Sequence, residues 1–90
     1  NLLVANMDLI LAYPIEEIAF IGFFMMNVQY QNKGIGSNII EDTCNYLKQL
    51  GYKKVRLGVD KENPQSYAFW LKNGFCVISK DLYILMELIL

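Results

Sequence analysis

Gln31-Asn32-Lys33-Gly34-Ile35-Gly36-Ser37 joins an apolar run that ends near Val28 to an amphipathic run that begins near Asn38. A strand is expected to feed a helix here. Two glycines in such a turn let a ligand approach the backbone closely, and the first N–H groups of a helix lack intrahelical partners and carry the positive end of its dipole. The stretch reads as a cradle for an anion, with phosphate the first choice.

Two familiar phosphate motifs fail on spacing. A P-loop places Lys-Ser or Lys-Thr directly after its last glycine, whereas here Ile35 and Ser37 flank Gly36 and Lys33 precedes both glycines. A dinucleotide-binding turn needs a third glycine three residues after Gly36, where this chain has Ile39. What remains is Gln-x-x-Gly-x-Gly, carried by Gln31, Gly34 and Gly36. The pattern resembles the acetyl-coenzyme A loop of the GNAT family of N-acetyltransferases. A second stretch, Asn63-Pro64-Gln65-Ser66-Tyr67-Ala68-Phe69-Trp70-Leu71-Lys72-Asn73-Gly74-Phe75, is similar to the family's later motif, an asparagine-initiated helix closed by Gly-Phe. From about Met7 to Leu90 the chain can be laid on the family pattern.

Ninety residues bound the chain to a single domain with a small core, yet 54% of them are hydrophobic, so some apolar surface is expected to be covered from outside the chain. Eight basic and nine acidic residues give a formal net charge of −1, with no basic patch to mark a nucleic-acid partner. Cys44 and Cys76 form no Cys-x-x-Cys pair and the chain has no histidine, which disfavours a structural zinc site. Both cysteines are expected to be buried small hydrophobes in a reducing, cytoplasmic protein. Asn1 begins the chain with no basic segment ahead of the apolar residues, so no intact secretory signal is expected. The run from Ile18 to Val28 is too short to span a bilayer and the last one is interrupted by Glu87, so no membrane partner is expected.

Apolar residues from Leu2 to Tyr13 predict a strand, and Pro14, Glu16 and Glu17 predict the turn of a hairpin. Its second arm, Ile18 to Val28, is nearly continuous apolar sequence, as for a central strand covered on both faces, with Gly22 marking a bulge or a close backbone approach. Ile39, Ile40, Cys44, Leu47 and Leu50 recur at helical spacing, with Ser37 near the N-cap and Gly51 as the stop. Val55, Leu57 and Val59 predict a strand parallel to the central one. Asn63 caps a second helix that begins at Pro64 and closes at Gly74. Cys76–Ser79 and Leu82–Ile89 read as an antiparallel pair turned by Ser79, Lys80 and Asp81.

The expected fold is α/β (α+β), a mixed central sheet with two helices in the order β-β-α-β-α-β-β. That order matches the family core from its third strand onward. Residues 1–90 then form one partial domain that lacks the family's N-terminal strand-helix-helix-strand section. A strand edge and an apolar face left uncovered in this way predict a homodimer.

Acetyl transfer from a thioester to an amine needs a fixed acyl group, a neutral amine, a stabilised oxyanion and a proton for the leaving thiolate. The resemblance implies that backbone groups of Met26, Asn27 and Val28 bind the pantetheine arm like an added strand. It further implies that Gln31, Asn32, Lys33, Gly34, Ile35, Gly36 and Ser37 hold the pyrophosphate, with Asn63 and Trp70 beside the coenzyme. Core packing is an equal reading for Met25 and Met26, and helix capping is the other reading of Asn63. Seven residues after Asn63, where many family members have a tyrosine proposed to protonate the thiolate, this chain has Trp70, whose indole N–H is no usable acid near neutral pH. Tyr67 and Tyr83 are weak substitutes. For a general base the candidates are Glu16, Glu17 and Asp60 near strand ends, a position where carboxylates are usually solvated surface charges. Two functions follow: an acetyl-coenzyme A-dependent N-acetyltransferase acting on a primary amine, or a remnant that binds the coenzyme or a protein partner without turnover.

Overall fold

A computed structural model describes residues 4–90, so the Leu2 end of the expected first strand lies outside the described residues. Alternating burial along Ala5–Ile10 (β1) and the apolar run Ile18–Met26 (β2) form an antiparallel hairpin. Opposite Asp8 and Leu9 the register skips Gly22, so the bulge expected at that glycine is present in β2. A 3-10 turn at Val28–Tyr30 leads into the helix Ile35–Gln49 (α1), which is followed by Lys54–Val59 (β3), the helix Pro64–Lys72 (α2), Cys76–Lys80 (β4) and Ile84–Ile89 (β5). The sheet order is β1-β2-β3-β5-β4, with β2 and β3 parallel and the other pairs antiparallel. The mixed sheet, the two helices and the order of elements match the sequence reading.

Both helices end in the same way. Gly51 and Gly74 take φ of 100° and 91°, conformations that cost glycine little. Gly51 N–H donates to Lys48 C=O and Tyr52 N–H to Leu47 C=O, while Gly74 and Phe75 bond Leu71 and Trp70 alike. These are Schellman closures, and each sets an aromatic residue (Tyr52, Phe75) after the glycine against the core. At the start of α2 the Asn63 carboxamide accepts from Ser66 N–H at 3.0 Å, with Pro64 in the first position, so the expected cap is present.

The core lies on one face of the sheet. Ala19, Ile21, Val55, Leu57, Val59, Ile84 and Met86 point into it from the strands and meet Ile40, Cys44 and Leu47 of α1 and Trp70 of α2. Leu47 is completely buried, and burying one such side chain contributes about 1.5–3 kcal/mol. On the opposite face Arg56 Nε donates to Glu87 Oε2 at 2.7 Å across β3 and β5.

Four expectations are corrected. β2 is not covered on both faces beyond its bulge, because Phe23 and Met25 project from the face that carries neither helix and are exposed. Helix α1 begins at Ile35, so Ser37 lies inside its first turn and Gly34, at φ 77°, occupies the cap without a side-chain bond. Cys76 is exposed, since it pairs with Glu87 on the helix-free face, and Ile78 is skipped in the β4–β5 register. The β4–β5 turn falls at residues 81–83, which removes Leu82 and Tyr83 from the last strand.

Candidate functional site

Pairing between β2 and β3 stops at Ile21 with Leu57, although β2 runs on to Met26 and β3 to Val59. Beyond the bulge the two parallel strands part. Asn27 N–H donates to Val4 C=O at 2.8 Å, towards β1. Main-chain groups alternate sides along a strand, so those of Phe24 and Met26 face the wedge between β2 and β3. Gln31 Nε2 reaches back to the Met26 carbonyl at 3.2 Å, and this fixes the start of the loop to the end of the strand.

The loop then turns through two left-handed residues, Asn32 at φ 62° and Gly34 at φ 77°. Asn38 N–H bonds Gly34 C=O, which leaves the N–H groups of Ile35, Gly36 and Ser37 as the open first turn of α1. A β-carbon added at Gly36 would lie 3.2 and 3.3 Å from ring atoms of Phe69 and 3.5 Å from Met26 Cγ. A side chain at Gly36 would therefore press on the contact between α1 and α2.

A cavity of about 360 Å³ runs along this loop, walled by Phe24, Met25 and Met26 of β2, by Tyr30, Gln31, Asn32, Gly34, Gly36 and Ser37, and by Asn63, Gln65, Ser66, Phe69, Trp70 and Lys72 of α2 and its cap. A second cavity of about 180 Å³ fills the wedge, with Gly22, Phe23, Gly58 and Asp60 among its walls. Phe24, Asn63, Ser66 and Trp70 line both. The two spaces meet where β2 and β3 part.

Of the residues expected at the site, Met26, Gln31, Asn32, Gly34, Gly36, Ser37, Asn63 and Trp70 are thus gathered around one cavity. Val28, Lys33 and Ile35 do not line it, and the Asn27 carboxamide accepts from Gln29 N–H instead. Trp70 is buried and makes edge contacts with Phe24, Phe69 and Phe75 at centroid distances of 5.0–5.8 Å. Neither Tyr67 nor Tyr83 lines either cavity; Tyr67 packs on the core and Tyr83 is exposed in the β4–β5 turn. Glu16 and Glu17 lie in the exposed hairpin turn, while Asp60 borders the wedge and accepts from Glu62 N–H at 2.8 Å. Sequence reasoning missed Phe24, Tyr30, Gln65, Ser66, Phe69 and Lys72. Of these only Ser66 could have been found from helical spacing, since it and the expected Trp70 follow Asn63 by three and seven residues and so share its face.

Burial pushes the Cys44 thiol up to about 11, and the group sits in the core away from both cavities. It is a packing residue. Among the described residues no three histidine, cysteine, aspartate or glutamate side chains gather as a metal site, and no helix is long and apolar enough to cross a membrane.

The model of the acetyltransferase (GNAT) family matches residues 9–75. The chain belongs to that family. A spermidine N(1)-acetyltransferase of Thermoplasma acidophilum is 24% identical over 86% of this chain and 56% of its own length. The crystal structure of an acetyltransferase from Thermus thermophilus superposes with a TM-score of 0.88 over 97% of this chain and 56% of the other, at 24% identity, and shows the shared GNAT fold. The PaiA N-acetyltransferase of Thermoplasma acidophilum, solved in complex with coenzyme A, superposes at 0.79 with 27% identity over 84% of this chain and 48% of that one. The chain thus spans about half the length of these GNAT relatives.

Proposed function

We propose that this GNAT domain binds acetyl-coenzyme A and transfers its acetyl group to a primary amine. The observation that carries the reading is the open first turn of α1, at Ile35, Gly36 and Ser37, beside a cavity that joins the wedge where β2 and β3 part. Unpaired N–H groups at a helix N-terminus suit a pyrophosphate. The wedge-facing backbone of Phe24 and Met26 suits an extended amide chain such as pantetheine. Coenzyme A supplies the acyl thioester, and the residues of this chain bind and orient it. Asn63 remains the cap of α2 and Trp70 an apolar wall.

Spermidine is the first acceptor to test, because one GNAT relative carries that substrate in its name. Incubation of the protein with acetyl-coenzyme A and spermidine, lysine or a peptide amine should release free thiol in proportion to acceptor. No release with any primary amine, while the coenzyme still binds, would leave the binding-only reading.

The reading includes a reducing, cytoplasmic setting, supported by two unpaired cysteines, and a second copy of the chain on the helix-free face of the sheet. That face exposes Ile10, Phe23, Met25 and Ile89, and each end of the sheet is an open edge strand, β1 or β4.

A further inference from the structure

Gly22 and Gly58 are glycines that neither backbone nor packing calls for. Neither has a left-handed φ. An added β-carbon would lie 3.5 Å from Ile10 Cδ1 at Gly22 and 3.8 Å from Tyr83 Cβ at Gly58, which are ordinary contact distances. Alanine therefore fits at both, and glycine is the less stable choice inside a strand. The two share one location. The last pair between β2 and β3 is Ile21 with Leu57, so Gly22 and Gly58 are the next residue on each strand, where the strands part, and both line the wedge cavity. Their missing side chains leave room in the wedge.

That room exceeds what an acetyl group needs. The wedge cavity has a volume of about 180 Å³, whereas an apolar cavity of about 150 Å³ in a protein interior already admits benzene. Acetyl brings only a carbonyl and a methyl. For further carbons the side chains of Ile21, Phe24, Leu57, Val59 and Trp70 offer apolar wall. Among the described residues that wall carries one charged side chain, Asp60, and no cation. A carboxylate on the acyl chain would meet like charge there.

We propose that the wedge takes neutral acyl groups longer than acetyl, propionyl and butyryl, and that Gly58 sets the upper limit of their length; the inference rests on the coenzyme reading above. Transfer of such a group balances as acetyl transfer does. The amine nitrogen bonds to the acyl carbonyl carbon, the carbon–sulfur bond breaks, and the proton lost by nitrogen ends on the departing thiolate.

The test is calorimetric titration of the wild type, Gly58→Ala and Gly58→Val with coenzyme A and with its acetyl, propionyl, butyryl and succinyl thioesters. Wild-type affinity should rise about fourfold with each methylene from acetyl to butyryl, the size expected of burying one such group. Gly58→Val should bind the butyryl thioester more weakly than the acetyl one, with Gly58→Ala between the two proteins. Valine and alanine both suit a strand better than glycine, so neither variant should melt below the wild type without ligand. Wild-type affinity that is flat or falls from acetyl to butyryl overturns the inference, as does an unchanged order of affinities in Gly58→Val. Succinyl bound as tightly as butyryl overturns the restriction to neutral groups. If the wild type binds none of the ligands, coenzyme A included, the coenzyme reading itself fails.

Discussion

The ring of Phe69 lies 3.2 Å from the point where a β-carbon on Gly36 would sit, so the phosphate-type loop and helix α2 are packed directly on one another. Gly36→Val should therefore weaken the free protein as well as its ligand binding. Forcing extra carbons into this contact costs about 1–3 kcal/mol. In a chain of this size that lowers the melting temperature by roughly 4–8 °C per kcal/mol. Thermal denaturation without ligand checks it; an unchanged midpoint would mean that the Phe69 ring moves aside freely.

Trp70→Phe should leave any acetyl transfer within roughly threefold, because an indole is no acid near neutral pH and the residue serves as a wall between Phe24, Phe69 and Phe75. Trp70→Ala should instead destabilise the domain by about 3–5 kcal/mol. Tyr67→Phe and Tyr83→Phe should be silent in turnover, since neither phenol lines a cavity. A hundredfold loss in any of the three phenylalanine variants, at unchanged coenzyme affinity, would show a catalytic role.

The two cysteines should separate cleanly. Cys76 is exposed and should react with a thiol reagent in the native protein, while Cys44 should react only on unfolding. Burial pushes the Cys44 thiol up from the ordinary thiol range to about 11, so the folded state keeps its proton where the unfolded state loses it. The associated stability is fully present below about pH 9 and is lost as pH rises towards about 11. Native-state labelling of both thiols at equal rates would contradict the burial of Cys44.

Local punctuation made most of the fold legible. Gly51, Asn63, Pro64 and Gly74 each act within a few residues, and each stands where the sequence places it. Gly22 was readable as a bulge for the same reason. The start of α1 was misplaced because side-chain caps such as Ser37 are weighed first, whereas the left-handed Gly34 takes the cap position without any side-chain bond. Cys76 was misread because apolar neighbours do not reveal which face of a strand a residue takes. The loop half of the site was visible in Gln31, Gly34 and Gly36, but the α2 half depends on which helix face meets that loop. The contact between Phe69 and Gly36 decides it, and it is tertiary.

Pairing through the helix-free face predicts a second copy in solution. Light scattering at micromolar concentration should give twice the chain mass, and Phe23→Lys with Met25→Glu should reduce it to one chain without loss of the fold. A wild-type monomer whose unfolding is independent of concentration would contradict the pairing.

Acetyl transfer by this domain requires that acetyl-coenzyme A bind the cavity beside α1. A thermal-shift titration with acetyl-coenzyme A measures this on the wild-type chain. A ligand that binds only the native state adds about 2.7 kcal/mol at a hundred times its dissociation constant. For a domain of this size that is a rise on the order of 10 °C in the melting temperature. The same rise should be absent in Gly36→Val at a temperature where that variant is folded. A folded wild type whose melting temperature stays unchanged at saturating acetyl-coenzyme A would contradict the account.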